Sequence, residues 1–211
     1  MTTRRHFTAA LLPLLPACLP SCVSVDIGQD APAHTYLGLH DDGRGERRAQ
    51  PLVPALLVQA LPADALAETA SIAYSRQPHQ YAFYQLASWT ERPVRLVPRL
   101  LQRRLEARGV AQAVGVLGDP LRADWLLTLS LDALYHDVSD SPGRARLAIG
   151  AELVDRRQRK RVARRSFDAA VVVARADSTA AAQGLSAALT QVFDALLPWL
   201  ETSLQQAATS S

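Results

Sequence analysis

Cysteine is nearly absent from these 211 residues, and both copies, Cys18 and Cys22, fall within the first 22 positions. Two thiols at one end build no disulfide scaffold and, by themselves, no four-ligand zinc cage. Aromatic residues make up 6% of the chain, Lys occurs once against 22 Arg, and the formal charge is +3. So small a positive balance does not mark a nucleic-acid-binding protein. Beyond Cys22 there is no run of 18 apolar residues, so that part of the chain carries no membrane-spanning helix pattern. Catalytic signatures are missing too. There is no HExxH and no GxSxG, and Gly43-Arg44-Gly45 lacks the strand-to-helix setting and the Lys of a phosphate loop. His34, His40, His79 and His136 are dispersed, so no metal, cofactor or catalytic set is expected, and the chain reads as a non-enzyme. What is abundant is apolar residue, 48% against 20% charged, enough for one packed domain without disulfides.

The N-terminus has the layout of an export signal. Arg4 and Arg5 precede a short apolar stretch, residues 8–17, interrupted by Pro13 and Pro16. The stretch is too short for a membrane-spanning helix and is punctuated by helix breakers, which fits a cleaved secretory signal. Leu15-Pro16-Ala17-Cys18 and Leu19-Pro20-Ser21-Cys22 each place Leu three residues before Cys and a small residue just before it. Both resemble the bacterial lipobox, in which the Cys thiol is acylated and becomes the mature N-terminus. Pro at the middle position departs from that pattern. Cys22 is the favoured lipidation site, with Cys18 the alternative, because the chain turns polar after Cys22 (Ser24, Asp26, Gln29, Asp30). Residues 1–21 are then the signal peptide and 22–33 a tether. Loss of Arg4 and Arg5 would leave 21 basic against 20 acidic side chains. Val23 rather than Asp after the anchor favours, by analogy with enteric sorting, the periplasmic face of the outer membrane.

Residues 34–204 read as one folded domain. Strands are expected at 34–39 and 55–61, a turn or single helical turn at 64–70, and a hairpin from Ser71–Ser75 and Tyr81–Leu86. Thr90, Glu91 and Pro93 signal a helix start, with Thr90 as the cap; Val97, Leu100, Leu101 and Leu105 form its apolar face, and Gly109 ends it. On that helix Arg103, Arg104 and Arg108 are placed towards solvent. Trp125, Leu127, Leu129, Leu131 and Ala133 alternate with more polar residues, the clearest strand signal in the chain. Strands follow at 144–155 and 161–173. A final helix spans 178–204, capped by Asp177 or Ser178, with Leu185, Leu189, Val192, Phe193, Leu196 and Leu200 as one stripe. Pro198 is expected to kink it, and residues 205–211 to fray. A mixed sheet covered by helices follows from this order.

Two surface features stand out. Tyr74, Tyr81, Phe83, Tyr84 and Trp89 crowd into 16 residues of an aromatic-poor chain. Core packing accounts for such a cluster; a partner-binding surface, carried by Tyr74, Tyr81, Tyr84 and Trp89, is the functional alternative. Arg156, Arg157, Arg159, Lys160 and Arg161 form a basic run between two strands, suited to a solvated hairpin tip or to an anionic membrane face.

The succession Ile72, Tyr74, His79, Tyr81, Tyr84, Ser88-Trp89, Pro93, then Leu100, Leu101 and Leu105, resembles the ABC-type transport auxiliary lipoproteins, a family that includes the lipoprotein of the paraquat-inducible system. Cys22, the early Tyr36-Leu37 strand and the aliphatic C-terminal helix extend the likeness over most of residues 22–200. The resemblance implies a three-layer α/β/α sandwich with a mixed sheet of about five strands and two main helices. It also implies an outer-membrane-anchored docking role beside an MCE-type lipid transport system, whose partners would be an MCE-domain protein and an ABC permease and ATPase. No catalytic residues come with it. The other reading is a periplasmic carrier that itself binds a lipid or small hydrophobic ligand. An enclosed apolar cavity would mark the carrier; an aromatic surface without one would mark the docking module.

Overall fold

A computed structural model describes residues 33–62 and 65–209. The proposed signal, the acylated Cys and all of the tether but Ala33 lie outside these residues. The elements run β1 (Thr35–Leu37), β2 (Val53–Ala60), α1 (Ala65–Glu68), β3 (Ser71–Gln77), β4 (Gln80–Trp89), α2 (Pro93–Arg108), β5 (Ala111–Val116), β6 (Trp125–Asp137), β7 (Arg144–Asp155), β8 (Lys160–Val172) and α3 (Ser178–Thr209). The mixed α/β class holds, but the sheet has eight strands rather than about five.

Strand β6 organises the sheet. Its 13 residues are long enough for one edge to hold two partners in succession. Parallel β2 pairs its first half (Leu56 with Trp125), and parallel β3 its last (Tyr74 with His136). Beyond them lie β5, paired parallel with β2, and β4 and then β1, paired beyond β3. The other edge of β6 carries the long antiparallel ladder β6–β7–β8.

The two long helices share one face of this sheet. Val97, Leu100, Leu101 and Leu105 of α2 and Leu185, Leu189, Val192, Phe193, Leu196 and Leu200 of α3 enter one core with Leu56, Val58, Leu127, Leu129, Leu147, Ile149 and Leu153. The opposite face carries only a small cluster, Ala55, Leu57 and Ala123 with Leu121 and Leu126. Among the described residues that face is open rather than covered by the expected third layer. The physical reason lies in the alternation: Thr128, Ser130, Asp132, Glu152, Arg164 and Asp168 point outward, and such side chains offer no apolar surface for a helix to bury.

Local signals account for most helix ends. Asp177 Oδ1 accepts the Ala180 N–H at 2.8 Å and caps α3, and Gly109 ends α2 in the left-handed conformation at φ 70°. Thr90 does not cap α2. Arg92 occupies that position without a side-chain bond, Pro93 supplies the first turn, and the Thr90 N–H is spent on Leu37 O at 3.0 Å. Helix α3 continues to Thr209, so residues 205–209 are helical rather than frayed.

One irregularity redirects the sheet. Leu131 pairs with Ile149 and Ala133 with Ala148, so Asp132 is an extra residue in β6. A bulge of this kind reverses which side chains face the core. Up to Leu131 the odd-numbered residues point inward. Beyond it Leu134 and His136 do, not Ala133 as strict alternation predicted.

Candidate functional site

The aromatic cluster divides among three environments. Trp89 is 2% exposed and belongs to the core. Tyr74 and Tyr84 sit together on the helix side, ring centroids 5.0 Å apart, with the Arg76 guanidinium 5.3 Å from the Tyr74 ring. Tyr81 lies on the open face, edge-on to Tyr135 at 5.2 Å. The four residues singled out from sequence are thus not one surface.

Beneath Tyr84 lies His136, fully buried because of the Asp132 bulge. Its Nε2 lies 3.2 Å from the Pro142 carbonyl and its Nδ1 2.8 Å from the Tyr84 hydroxyl. A carbonyl only accepts, so Nε2 carries the proton, and Nδ1 accepts from the Tyr84 O–H. Burial lowers the His136 pKa, outweighing the Pro142 carbonyl, Asp137 and Asp177. Burial also pushes the Tyr84 phenol up to about 12, with Asp177 and then Tyr74 adding to it. Burial thus favours the neutral form of both groups. This pair locks the β3–β4 hairpin onto β6, and Tyr84 also lines a solvent-open groove.

The exposed large apolar side chains of β4 are Tyr81, Phe83 and Leu86, at 45%, 43% and 50%. Strand β1 covers β4 only at Ala87–Trp89, so among the described residues the outer edge of Gln80–Leu86 has no strand partner. Beside it runs a groove open to solvent, lined by Tyr74, Arg76, Phe83, Tyr84, Leu86 and Ser178. Sequence reasoning placed Phe83 in the cluster but missed Leu86 and Arg76. Nearly every residue from Tyr81 to Leu86 is exposed, with Tyr84 half-buried, so no inside–outside alternation in this stretch singled out Leu86, and Arg76 reaches the groove from the neighbouring strand.

A second charged assembly was also missed. Arg104 is buried, against the expectation that it faces solvent. It donates to Asp41 at 3.1 Å and pairs with Asp194 of α3. Arg108 and Arg48 both pair with Glu201, at 2.8 and 3.0 Å. Asp41 further accepts from Thr190 Oγ1 and the Gly43 N–H, each at 3.1 Å. These contacts clamp residues 41–48 across α2 and α3 and have a structural role. Any side chain on Gly43 would collide with the Arg104 guanidinium.

The basic run occupies the β7–β8 turn, with Arg156 to Arg161 exposed. Among the described residues no group of three His, Cys, Asp or Glu side chains is placed to hold a metal ion. No helix among them is long and apolar enough to cross a membrane.

Residues 39–196 match the family of ABC-type transport auxiliary lipoprotein components. The chain belongs to that family. A crystal structure of a Xanthomonas campestris protein shares the fold at a TM-score of 0.73 and 24% identity, covering 83% of this chain and 99% of that one. A second crystal structure, of an uncharacterized protein, aligns at a TM-score of 0.58 and 14% identity, covering 80% and 99%. No curated protein matches the chain in sequence. Family membership makes the protein an auxiliary component of ABC-type transport, rather than a member of a known enzyme class.

Proposed function

We propose that this auxiliary lipoprotein is a tethered docking module of an MCE-type lipid transport system, held at the periplasmic face of the outer membrane by acyl chains on Cys22. The observation that carries the docking role is the β4 edge. Tyr81, Phe83 and Leu86 stand exposed beside an open groove, on a strand whose backbone edge is free among the described residues. An extended segment of the MCE component would extend the sheet there, with alternate apolar side chains on either face. The groove is open rather than an enclosed apolar chamber, which supports docking over carriage of a lipid. ATP hydrolysis and substrate movement would belong to the permease and ATPase. The anchor follows from the lipobox-like Cys22. Several acyl chains hold more firmly than one, since each buried CH₂ contributes about 0.8 kcal/mol.

The test is affinity capture from solubilised membranes, with wild type compared to Phe83→Glu/Leu86→Glu and read by mass spectrometry. MCE and ABC components should be recovered with wild type and depleted with the variant. Recovery of neither with wild type overturns the reading. Palmitate labelling that survives Cys22→Ser but is lost in Cys18→Ser would move the anchor to Cys18.

A further inference from the structure

The end of the sheet formed by the β7–β8 turn concentrates positive charge, three of its cations without an ion-pair partner among the described residues. Arg156, Arg157, Arg159, Lys160 and Arg161 are all exposed within six residues. Asp155, the acid nearest in sequence, is buried. Its Oδ1 accepts the N–H groups of Arg157 at 2.8 Å and Gln158 at 3.0 Å, so it organises the turn rather than pairing with the cations. Glu152 is shared between Arg161 at 3.5 Å and Arg164 at 3.3 Å. Among the described residues no carboxylate forms an ion pair with Arg157, Arg159 or Lys160.

Two further observations bear on what this end does. Arg156 Nη1 donates to the Ala123 carbonyl at 2.9 Å and its backbone N–H to the Asp124 carbonyl at 2.8 Å, fastening the turn to the segment before β6 and bringing the exposed Arg122 and Asp124 to the same end, where cations still outnumber the acid. Arg159 takes φ 54°, a left-handed conformation in which Gly or Asn is favoured and a long side chain is uncommon. The turn alone would be served better by either of those residues, so the cation sits there against backbone preference.

We propose that this basic end rests against an anionic phospholipid surface, its guanidinium groups binding headgroup phosphates. Arg offers planar, paired donors to phosphate, and a row of them is drawn to a negative leaflet. No exposed large apolar side chain lies between Arg156 and Arg161, so the contact is electrostatic and rests at headgroup level. The same lack of an apolar centre disfavours a folded acidic protein as partner, because protein interfaces bury such a centre. This surface is separate from the β4 edge, so loss of either leaves the other standing.

The test uses the full chain carrying Cys18→Ser and Cys22→Ser, so that no acyl anchor masks the effect. Its partition is measured on phosphatidylglycerol-containing phosphatidylethanolamine vesicles and on phosphatidylcholine vesicles. Preferential binding to the anionic vesicles is expected, weakening as salt is raised. Arg157→Gln/Arg159→Gln/Lys160→Gln should lower that binding on the order of a hundredfold. Circular dichroism checks that the triple variant is folded. Equal partition to both vesicle types, or unchanged binding by the folded triple variant, overturns the proposal. Binding to polyglutamate as strong as to the anionic vesicles would point to an acidic polypeptide and overturn it as well.

Discussion

The Tyr84 hydroxyl donates to Nδ1 of His136 at 2.8 Å, joining two residues 52 positions apart in the chain. The bond exists because one extra residue in β6, Asp132, turns His136 into the core, where Tyr84 of the β3–β4 hairpin meets it. The hairpin that presents the proposed docking edge is thus fixed to the longest ladder of the sheet through a neutral imidazole.

Stability should therefore fall in mild acid. The His136 pKa lies below its ordinary 6.5, chiefly through burial. Above pH 6.5 folded and unfolded chains both hold a neutral imidazole. As pH drops below that value, the unfolded chain takes a proton that the folded chain refuses, costing up to about 1.4 kcal/mol per pH unit until the folded pKa is reached. Asp137, lowered by the Ser139 hydroxyl and then Arg146, acts in a separate window below the ordinary carboxylate range. Urea titrations from about pH 8 to about pH 5 should show a flatter profile for His136→Gln than for wild type. Parallel profiles would refute the assignment.

Arg104 and Asp41 form a nearly buried pair, their side chains 5% and 6% exposed. Arg104→Ala strands the Asp41 carboxylate and should cost about 3–5 kcal/mol. Asp194 is 56% exposed, so Asp194→Asn should cost less than about 1 kcal/mol despite touching the same guanidinium. Denaturant midpoints of the two variants check the contrast.

Trp89 and Phe83 lie on one strand and should separate cleanly. Trp89→Ala opens the core and is expected to cost about 3–5 kcal/mol. Phe83→Ser, at a 43% exposed position, should change stability by under about 0.5 kcal/mol while weakening partner capture. Thermal melts set beside capture yields would show it, and an equally unstable Phe83→Ser would remove the distinction.

Gly143 holds φ 97°, and a Cβ there would approach the Asp137 carbonyl and His136 Nε2 at 2.4 and 2.6 Å. Gly143→Ala should destabilise by at least about 1–3 kcal/mol and shift the His136 ring resonances in NMR spectra. An unchanged melt and spectrum would show that the turn is freer than its geometry indicates.

Much of the architecture was legible in residue order. The hairpin at 71–86, the helix ended by Gly109, the ladder from Trp125 onward and the Asp177-capped helix each rest on local signals. Periodicity and capping act over a few residues, so a single sequence records them. Arg104 escaped for the opposite reason. A charged residue beside an apolar stripe reads as solvated until Asp41 and Asp194, 63 and 90 positions away in the chain, are seen to enclose it.

By itself the sequence determined most of the secondary elements, though not β5, and the likeness to auxiliary lipoproteins, and it raised the expectation of an N-terminal anchor, because each depends on short-range pattern. Tertiary structure decided which face of each strand is inside. The Asp132 bulge reverses the facing of β6 beyond Leu131, the outward polar residues of β6–β8 leave one sheet face open among the described residues, and Trp89 is drawn into the core while Phe83 and Leu86 stay in solvent. The reason is geometric: a strand's inward side is set by register with its neighbours, and register is a property of the assembled sheet.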